Sequence, residues 1–428
     1  MGARPEGSTI MRVLIVGNYY YPEEVGAGIW IRQLAVDLKD KGHTVTVLTS
    51  FPSYPDGVIP PAYKGLVYLT ETIDDIQIVR TWTYATQSKS FWPRFFSFGA
   101  FCASALVQGG WEVLRKRLSA DVVYAVIPPL PLGVAARCLA MLTGAALIVN
   151  VQDIYPDIAV DTGFLKSPAA IQIFRRMERW VYRKANLIVV ISEGFRNNLL
   201  KKSVPAEKIS VVPNWADLDS IRPASRETRF RTERKSGDRF VVLYSGGFSH
   251  NSCMEPVIQA AAMLPSDRFQ FLLIGSGVKR AELVERARTL DLRHVEFLPF
   301  QPFERYAEVL ASSDVTLVTL NTASSLASVP SKIFKQMAAG RPIIAVTQEG
   351  NELSRLIGAS GCGVVVAPDD PAGLAQSIQG MAQDRARCTD FGAAGRAYIE
   401  AECSRTRCVS AIEELCRDLT SRITKTTR

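Results

Sequence analysis

Short β-branched apolar runs alternate with stretches of helical spacing along nearly the whole chain. In the first half the runs fall at residues 13–17, 45–49, 76–81, 122–126, 148–151, 187–191 and 209–212. Between the first two, residues 29–41 place Ile31, Leu34, Ala35 and Leu38 at i, i+3, i+4 and i+7, the pattern of a helix with one apolar face. Continuous apolar strands separated by such helices predict a parallel sheet covered on both sides. Residues 222–239 interrupt the alternation with a charged stretch almost free of large apolar side chains, which reads as a linker. The alternation then restarts with runs at 240–244, 269–274, 295–298, 315–320, 343–346 and 363–366. The expected organisation is α/β: a doubly wound domain over 11–221, a linker over 222–239 and a second doubly wound domain over 240–388. A helical segment over 389–428 is expected to cross back to the first domain. Ligands in such sheets gather at the carboxyl ends of the strands.

Composition narrows the classes. The chain has 428 residues, 47% of them hydrophobic and 21% charged, which suffices for full cores and excludes disordered, collagenous and coiled-coil proteins. The net charge of +8 is spread over both halves, unlike the concentrated basic face of a nucleic-acid binder. Eight cysteines form no C-x-x-C pair and only three histidines are present, so no metal site is expected. Scattered thiols suit a reducing compartment. Residues 1–9 are polar and lead directly into a strand, so a cytoplasmic protein with a dispensable ten-residue extension is expected.

Two segments differ chemically from the rest. Residues 95–110 carry no charge and are flanked by Trp92, Arg94, Trp111 and Arg115. They fall short of the roughly 20 residues that span a bilayer. An interfacial segment with aromatic and basic anchors fits, and so does a buried helix rich in small residues. Residues 166–208 hold ten basic side chains against three acidic, with Arg175, Arg176, Arg179, Arg183 and Lys184 beside Ile171, Phe174, Met177 and Val181. That is a basic amphipathic helix, suited to an anionic membrane surface or to a solvated face. Trp92, Phe95, Phe96, Arg175, Arg176 and Arg179 are the candidate membrane-facing residues.

After the first strand, Gly26-Ala27-Gly28 open a helix, where glycines let backbone approach an anionic group. Eight residues separate Gly17 from Gly26, so the spacing is wrong for a nicotinamide-binding fingerprint. The segments PEEVGAG, NVQDIYPDIAVD, ANLIVVISEG, VPAEKISVVPNWADLD, FLLIGSGVKRAELVERARTLDLRHVEFLP, ASSDVTLVTL and VPSKIFKQMAAGRPIIA follow in order. This ordered set, over residues 12–370, resembles the family 4 glycosyltransferases. PNWADLD, VPSK and FPSYPD most resemble the WcaI/WbuB-type subgroup of polysaccharide biosynthesis.

The resemblance implies a GT-B fold, in which two Rossmann-like domains face a cleft, and sugar transfer with retention of anomeric configuration. It implies a nucleotide diphosphate sugar, UDP- or GDP-linked, held by the second domain, and no metal or other cofactor. Gly246, Gly247, His250, Gly275, Ser331, Lys332 and Lys335 match the donor-binding segments. Asp153, after the run at 148–151, matches the position of an acceptor-orienting group or catalytic base; a carboxylate capping the next helix is the structural alternative. Asp217 and Asp219 mimic a metal-binding D-x-D but fall in the family's interdomain segment. The usual E-x7-E pair is absent: Ala327 and Lys335 occupy its positions, and the subgroup itself lacks the second glutamate. Asn251 stands where the family places a lysine on the diphosphate, which leaves Lys332, with Lys335, to supply that charge. The implied partners are the nucleotide-sugar, a polyprenyl-diphosphate-linked saccharide and the cytoplasmic face of the bacterial inner membrane, in exopolysaccharide, capsule or O-antigen assembly. A degenerate, non-catalytic binding subunit and a sugar-nucleotide epimerase of the same fold remain as alternatives.

Overall fold

The computed structural model describes residues 10–23, 27–54, 56–88, 91–216, 218–249, 252–321 and 330–426. They divide into two compact units, one of residues up to 213 together with those from 408 onward, the other of residues 214–407.

The first unit is built on eight strands: β1 (Arg12–Val16), β2 (Thr44–Ser50), β3 (Tyr68–Ile73), β4 (Ile76–Thr81), β5 (Val122–Ile127), β6 (Ala146–Val151), β7 (Leu187–Val190) and β8 (Ile209–Val211). Their spatial order is β3-β4-β2-β1-β5-β6-β7-β8. All neighbours pair in parallel except β3, which runs antiparallel to β4 at the edge. Hydropathy runs do not reveal β3. Its residues YLTETI alternate because one face meets water, and the two-residue connection Asp74–Asp75 has positive φ at both positions, the geometry that matches strand twist in a hairpin. The central strands β5 and β6 are buried at every position, as their apolar sequences, interrupted only by Asn150, require.

The second unit carries β9 (Phe240–Ser245), β10 (Phe269–Ile274), β11 (Val295–Leu298), β12 (Val315–Thr319), β13 (Ile343–Val346) and β14 (Gly363–Val366). Its sheet is wholly parallel in the order β11-β10-β9-β12-β13-β14. Alternate residues of β9 and β10 feed two separate cores. Val241, Leu243, Leu272 and Ile274 pack on one face, and Phe240, Val242, Tyr244, Phe269, Phe271 and Leu273 on the other. Strand order reverses between β9 and β12 here, and between β1 and β5 in the first unit. These switch points are where doubly wound sheets open to ligands.

Two segments depart from expectation. Residues 222–239 are built into the second unit: helix Arg229–Glu233 follows the capping residue Thr228, and Phe230 and Arg231 are buried. Their charge conceals this because Arg231 is satisfied internally, by Asp314 at 3.2 Å and by the carbonyls of Ser312, Gly237 and Arg239. Nor does the C-terminal segment cross as a whole. Helix Arg385–Glu402 stays on the second unit, with Ile399 in its core. The chain joins the first unit only along helix Arg405–Thr426, where Glu413 takes Lys41 at 2.5 Å and His43 Nε2 at 3.1 Å.

Candidate active site

In the first unit, β6 ends at Val151, and Asp153 follows directly after Gln152, whose N–H still donates to the Ile127 carbonyl at 2.8 Å. The following helix, Asp157–Asp161, starts after Pro156 and has no side-chain cap, so Asp153 is not its capping residue. Among the described residues its carboxylate has no hydrogen bond or ion pair, and burial pushes it up from 3.8 to about 7. Tyr155 lies beside it, and Tyr19 beside Tyr155 in turn. Burial raises both phenols to about 12; the negative charge of Asp153 adds to this at Tyr155, and Arg94 opposes it at both. Arg94 stands in the first turn of helix Phe91–Leu114. The turn after β1 adds Glu23, whose Oε1 accepts the backbone N–H groups of Ser53 and Tyr54 at 2.7 Å each. Its Oε2 is buried with no hydrogen-bond partner among the described residues, and burial raises its pKa.

Of the proposed phosphate loop, Gly26 lies outside the described residues. Ala27 opens helix Ala27–Asp40. Gly28 has a packing reason to be glycine: a Cβ there would stand 2.8 Å from the Glu23 carbonyl and 3.5 Å from Tyr19 Cβ. It thus lets the turn bearing Tyr19 and Glu23 close on the helix.

In the second unit, Gly246 and Gly247 follow β9 at the switch point, and Gly275 follows β10. Gly275 has φ +150°, and a Cβ on it would lie 1.8 Å from the Gly246 carbonyl oxygen. Only glycine lets these two turns meet. Lys332 begins helix Lys332–Ala338, and its ammonium sits 3.9 Å from the centre of the Tyr244 ring. It also lies 3.0 Å from where a Cβ on Gly246 would stand. Tyr244 in turn donates its hydroxyl to the Gly247 carbonyl at 2.8 Å. No carboxylate pairs with Lys332 among the described residues. One turn on, Lys335 lies over the Tyr306 ring at 5.2 Å, and burial lowers its pKa. Tyr306 in turn lies close to Ser245, the last residue of β9. Ser331 is exposed at the cap position, with no side-chain capping bond. The structure therefore brings together Gly246, Gly247, Gly275, Lys332 and Lys335; His250, Asn251 and Ala327 lie outside the described residues.

Sequence reasoning passed over Glu23, Tyr155, Tyr244 and Tyr306. The signal for Tyr244 was present, as a polar-tipped aromatic within the apolar run FVVLYS.

The candidate membrane-facing residues separate. Arg175, Arg176 and Arg179 are exposed on helix Pro168–Lys184, as is Ile173. Phe96 is 60% exposed, whereas Phe95 is drawn inward against Phe174, with ring centroids 5.9 Å apart. The Trp92 side chain lies outside the described residues. Helix Phe91–Leu114 buries Phe101, Cys102 and Ala105 and exposes a stripe of Phe96, Val107, Trp111 and Leu114 at helical spacing. No helix among the described residues is long and apolar enough to cross a membrane.

Residues 25–215 match the glycosyl transferase 4-like domain, and residues 239–384 the glycosyl transferases group 1 domain. Over 376 residues the chain is 26% identical to WcaI of Escherichia coli (strain K12), named for a glycosyl transferase of colanic acid biosynthesis. That match spans 86% of this chain and 91% of WcaI. WbjE of Pseudomonas aeruginosa, named as a glycosyltransferase, is 28% identical over 261 residues, 60% of this chain and 65% of its own. Among solved structures, sucrose-phosphate synthase from Thermosynechococcus elongatus superposes with a TM-score of 0.72 at 18% identity, covering 96% of this chain and all of its own. Anabaena HepE, in complex with UDP and glucose, gives a TM-score of 0.71 at 16% identity over 95% of this chain and all of its own.

Proposed function

The chain belongs to the glycosyltransferases and has the GT-B fold, and on that premise we propose that it moves a sugar from a nucleotide diphosphate sugar to a lipid-linked saccharide, with retention, in bacterial polysaccharide assembly. The name of WcaI supports the pathway, that of WbjE the transferase class, and the UDP held by HepE a nucleotide donor. The observation that carries the reading is the ammonium of Lys332, set on Tyr244 beside Gly246 at the switch point of the second sheet with no carboxylate partner among the described residues. A cation without a counter-ion at the carboxyl ends of parallel strands suits the charge that a departing diphosphate develops. Lys335 is the second cation within one helical turn. This arrangement makes up for the asparagine at 251.

On the acceptor side, Asp153 orients the acceptor hydroxyl. As the bond from the anomeric carbon to the diphosphate oxygen breaks, the hydroxyl oxygen bonds to that carbon and its proton passes to the carboxylate. A group held near 7 is matched to this task at neutral pH. Arg94 lies close enough to bear on the saccharide or its diphosphate. The apolar stripe of helix Phe91–Leu114 and the arginines of helix Pro168–Lys184 would hold the enzyme to an anionic leaflet, where a polyprenyl-diphosphate-linked acceptor is found.

Calorimetric titration with UDP and with GDP tests the donor half. One nucleotide is expected to bind in the micromolar range, and Lys332→Ala to abolish that binding. No binding of either by the folded protein would sink the transferase reading in favour of a non-catalytic binding subunit.

A further inference from the structure

The second unit has another cavity, at the opposite end of its sheet from the donor residues. It encloses about 560 Å³ at the amino-terminal ends of β9, β12 and β13, walled by Phe240, Asp314 and Pro342 and by one side of helix Arg385–Glu402. Phe240 opens β9 and Ser245 ends it, so the length of that strand, roughly 17 Å, separates the cavity from the donor turn. The volume falls within the roughly 300–1,000 Å³ of small-ligand sites.

Its lining is cationic. Arg226, Arg341, Arg385 and Arg396 face Asp314 and Glu400, and a fifth guanidinium, Arg231, binds Asp314 from behind. Asp314 is saturated: it accepts the Val241 N–H at 2.8 Å, Arg226 at 2.8 Å, Arg385 at 2.9 Å and Arg231 at 3.2 Å. The arginines are not. Arg385 is half-exposed and gives one nitrogen to Asp314, leaving Nε and Nη2 without an acceptor among the described residues. Arg396 spends Nε on Glu400 and Nη1 on the carbonyls of Ile221 and Ala338, leaving Nη2. Arg341 gives Nη1 and Nη2 to backbone carbonyls, while its buried Nε has no partner. Burial first, and then the charges of Arg231 and Arg226, lower the pKa of Arg341. Gly392, Ala393 and Ala397 keep the helix wall low and the space open.

We propose that this cavity binds a small di- or polyphosphate anion, at a site separate from the one that holds the donor. Planar guanidinium forks match phosphate oxygens in pairs, and a group with several charges can take donors from Arg385, Arg396 and Arg341 at once. Because those side chains come from helix Arg385–Glu402 and from the turn before β13, the bound anion ties the helix to the sheet.

The probe is inorganic pyrophosphate, titrated by calorimetry into the full chain and into its Lys332→Ala variant, whose donor turn has lost its cation. One equivalent is expected to bind to the variant. Arg385→Gln, which removes a charged donor, should weaken binding about tenfold or more. Ala393→Glu places a carboxylate at an exposed position of the cavity wall without touching the Asp314 cluster, and should abolish binding while the thermal unfolding curve stays unchanged. Lys332→Ala should leave it intact whether or not that residue governs nucleotide binding, which separates this site from the donor site. Pyrophosphate binding that survives both cavity substitutions, or that disappears with Lys332→Ala, overturns the proposal, as does absence of binding to the folded wild type. Equal affinity for citrate would overturn its assignment to phosphate.

Discussion

Replacing Asp153 by Asn should make the protein more stable and less active, and the stability gain should depend on pH. The carboxyl is held at about 7 rather than 3.8 by burial, so ionising it in the folded chain costs about 4 kcal/mol at 1.36 kcal/mol per pH unit. Solvent reaching a half-buried group lowers that figure, and about 2–4 kcal/mol is the working range. The sign follows from linkage. Between pH 4 and 7 the unfolded chain has lost this proton and the folded chain retains it, so wild-type stability falls as pH rises through that window and is level above it. Asn does not titrate. The gap between variant and wild type should therefore be near zero at pH 4 and complete above pH 7. For a unit of this size that amounts to about 5–15 °C in Tm. Thermal unfolding of both proteins at pH 4.5 and pH 8 measures it. In parallel, kcat/KM of the wild type should climb through a pKa near 7, and the variant should lose about 10²–10⁴-fold and that limb with it. A variant less stable at pH 8, a gap that ignores pH, or intact turnover would each refute the account. A purely structural carboxylate predicts the reverse sign of the stability change.

Glu413 works in the other direction. Lys41, His43 and Arg417 overcome its burial and bring it from 4.5 down to about 2. It therefore contributes stability that is complete above pH 4.5 and lost as pH falls toward 2, with a ceiling of about 3 kcal/mol. Glu413→Gln should lower Tm at pH 7 and become neutral near pH 2, and an unchanged Tm at pH 7 would show that helix Arg405–Thr426 is held by packing alone. For membrane attachment, the double substitution Val107→Glu and Trp111→Glu should abolish cosedimentation with vesicles rich in anionic lipid, since both side chains belong to the exposed stripe. Reversing Arg175 and Arg176 to Glu should weaken it at low salt; binding indifferent to both pairs would rule this surface out.

The sequence by itself determined the sheets. Val, Ile and Leu in short unbroken runs, alternating with helical patterns, read as strands buried on both faces, and thirteen of the fourteen strands grow from runs visible within two residues of their observed limits. It also placed Asp153 at a strand end and Lys332 at a helix start, because strand and helix boundaries are local. What it missed is non-local. The edge strand β3 shows only the weak alternation of a half-wet strand. The charged stretch 222–239 reads as linker because charge usually means solvent, yet Arg231 is buried, with Asp314, which lies 83 residues away, meeting its charge. The protonation of Asp153 depends on its burial, which no local stretch of sequence announces. The arginines of the second cavity come from three places in the chain: the stretch 222–239, the turn before β13 and helix Arg385–Glu402. Their individual charges are evident in the sequence, but desolvation and the sharing of one carboxylate exist only after folding, because both depend on distances that local sequence does not encode.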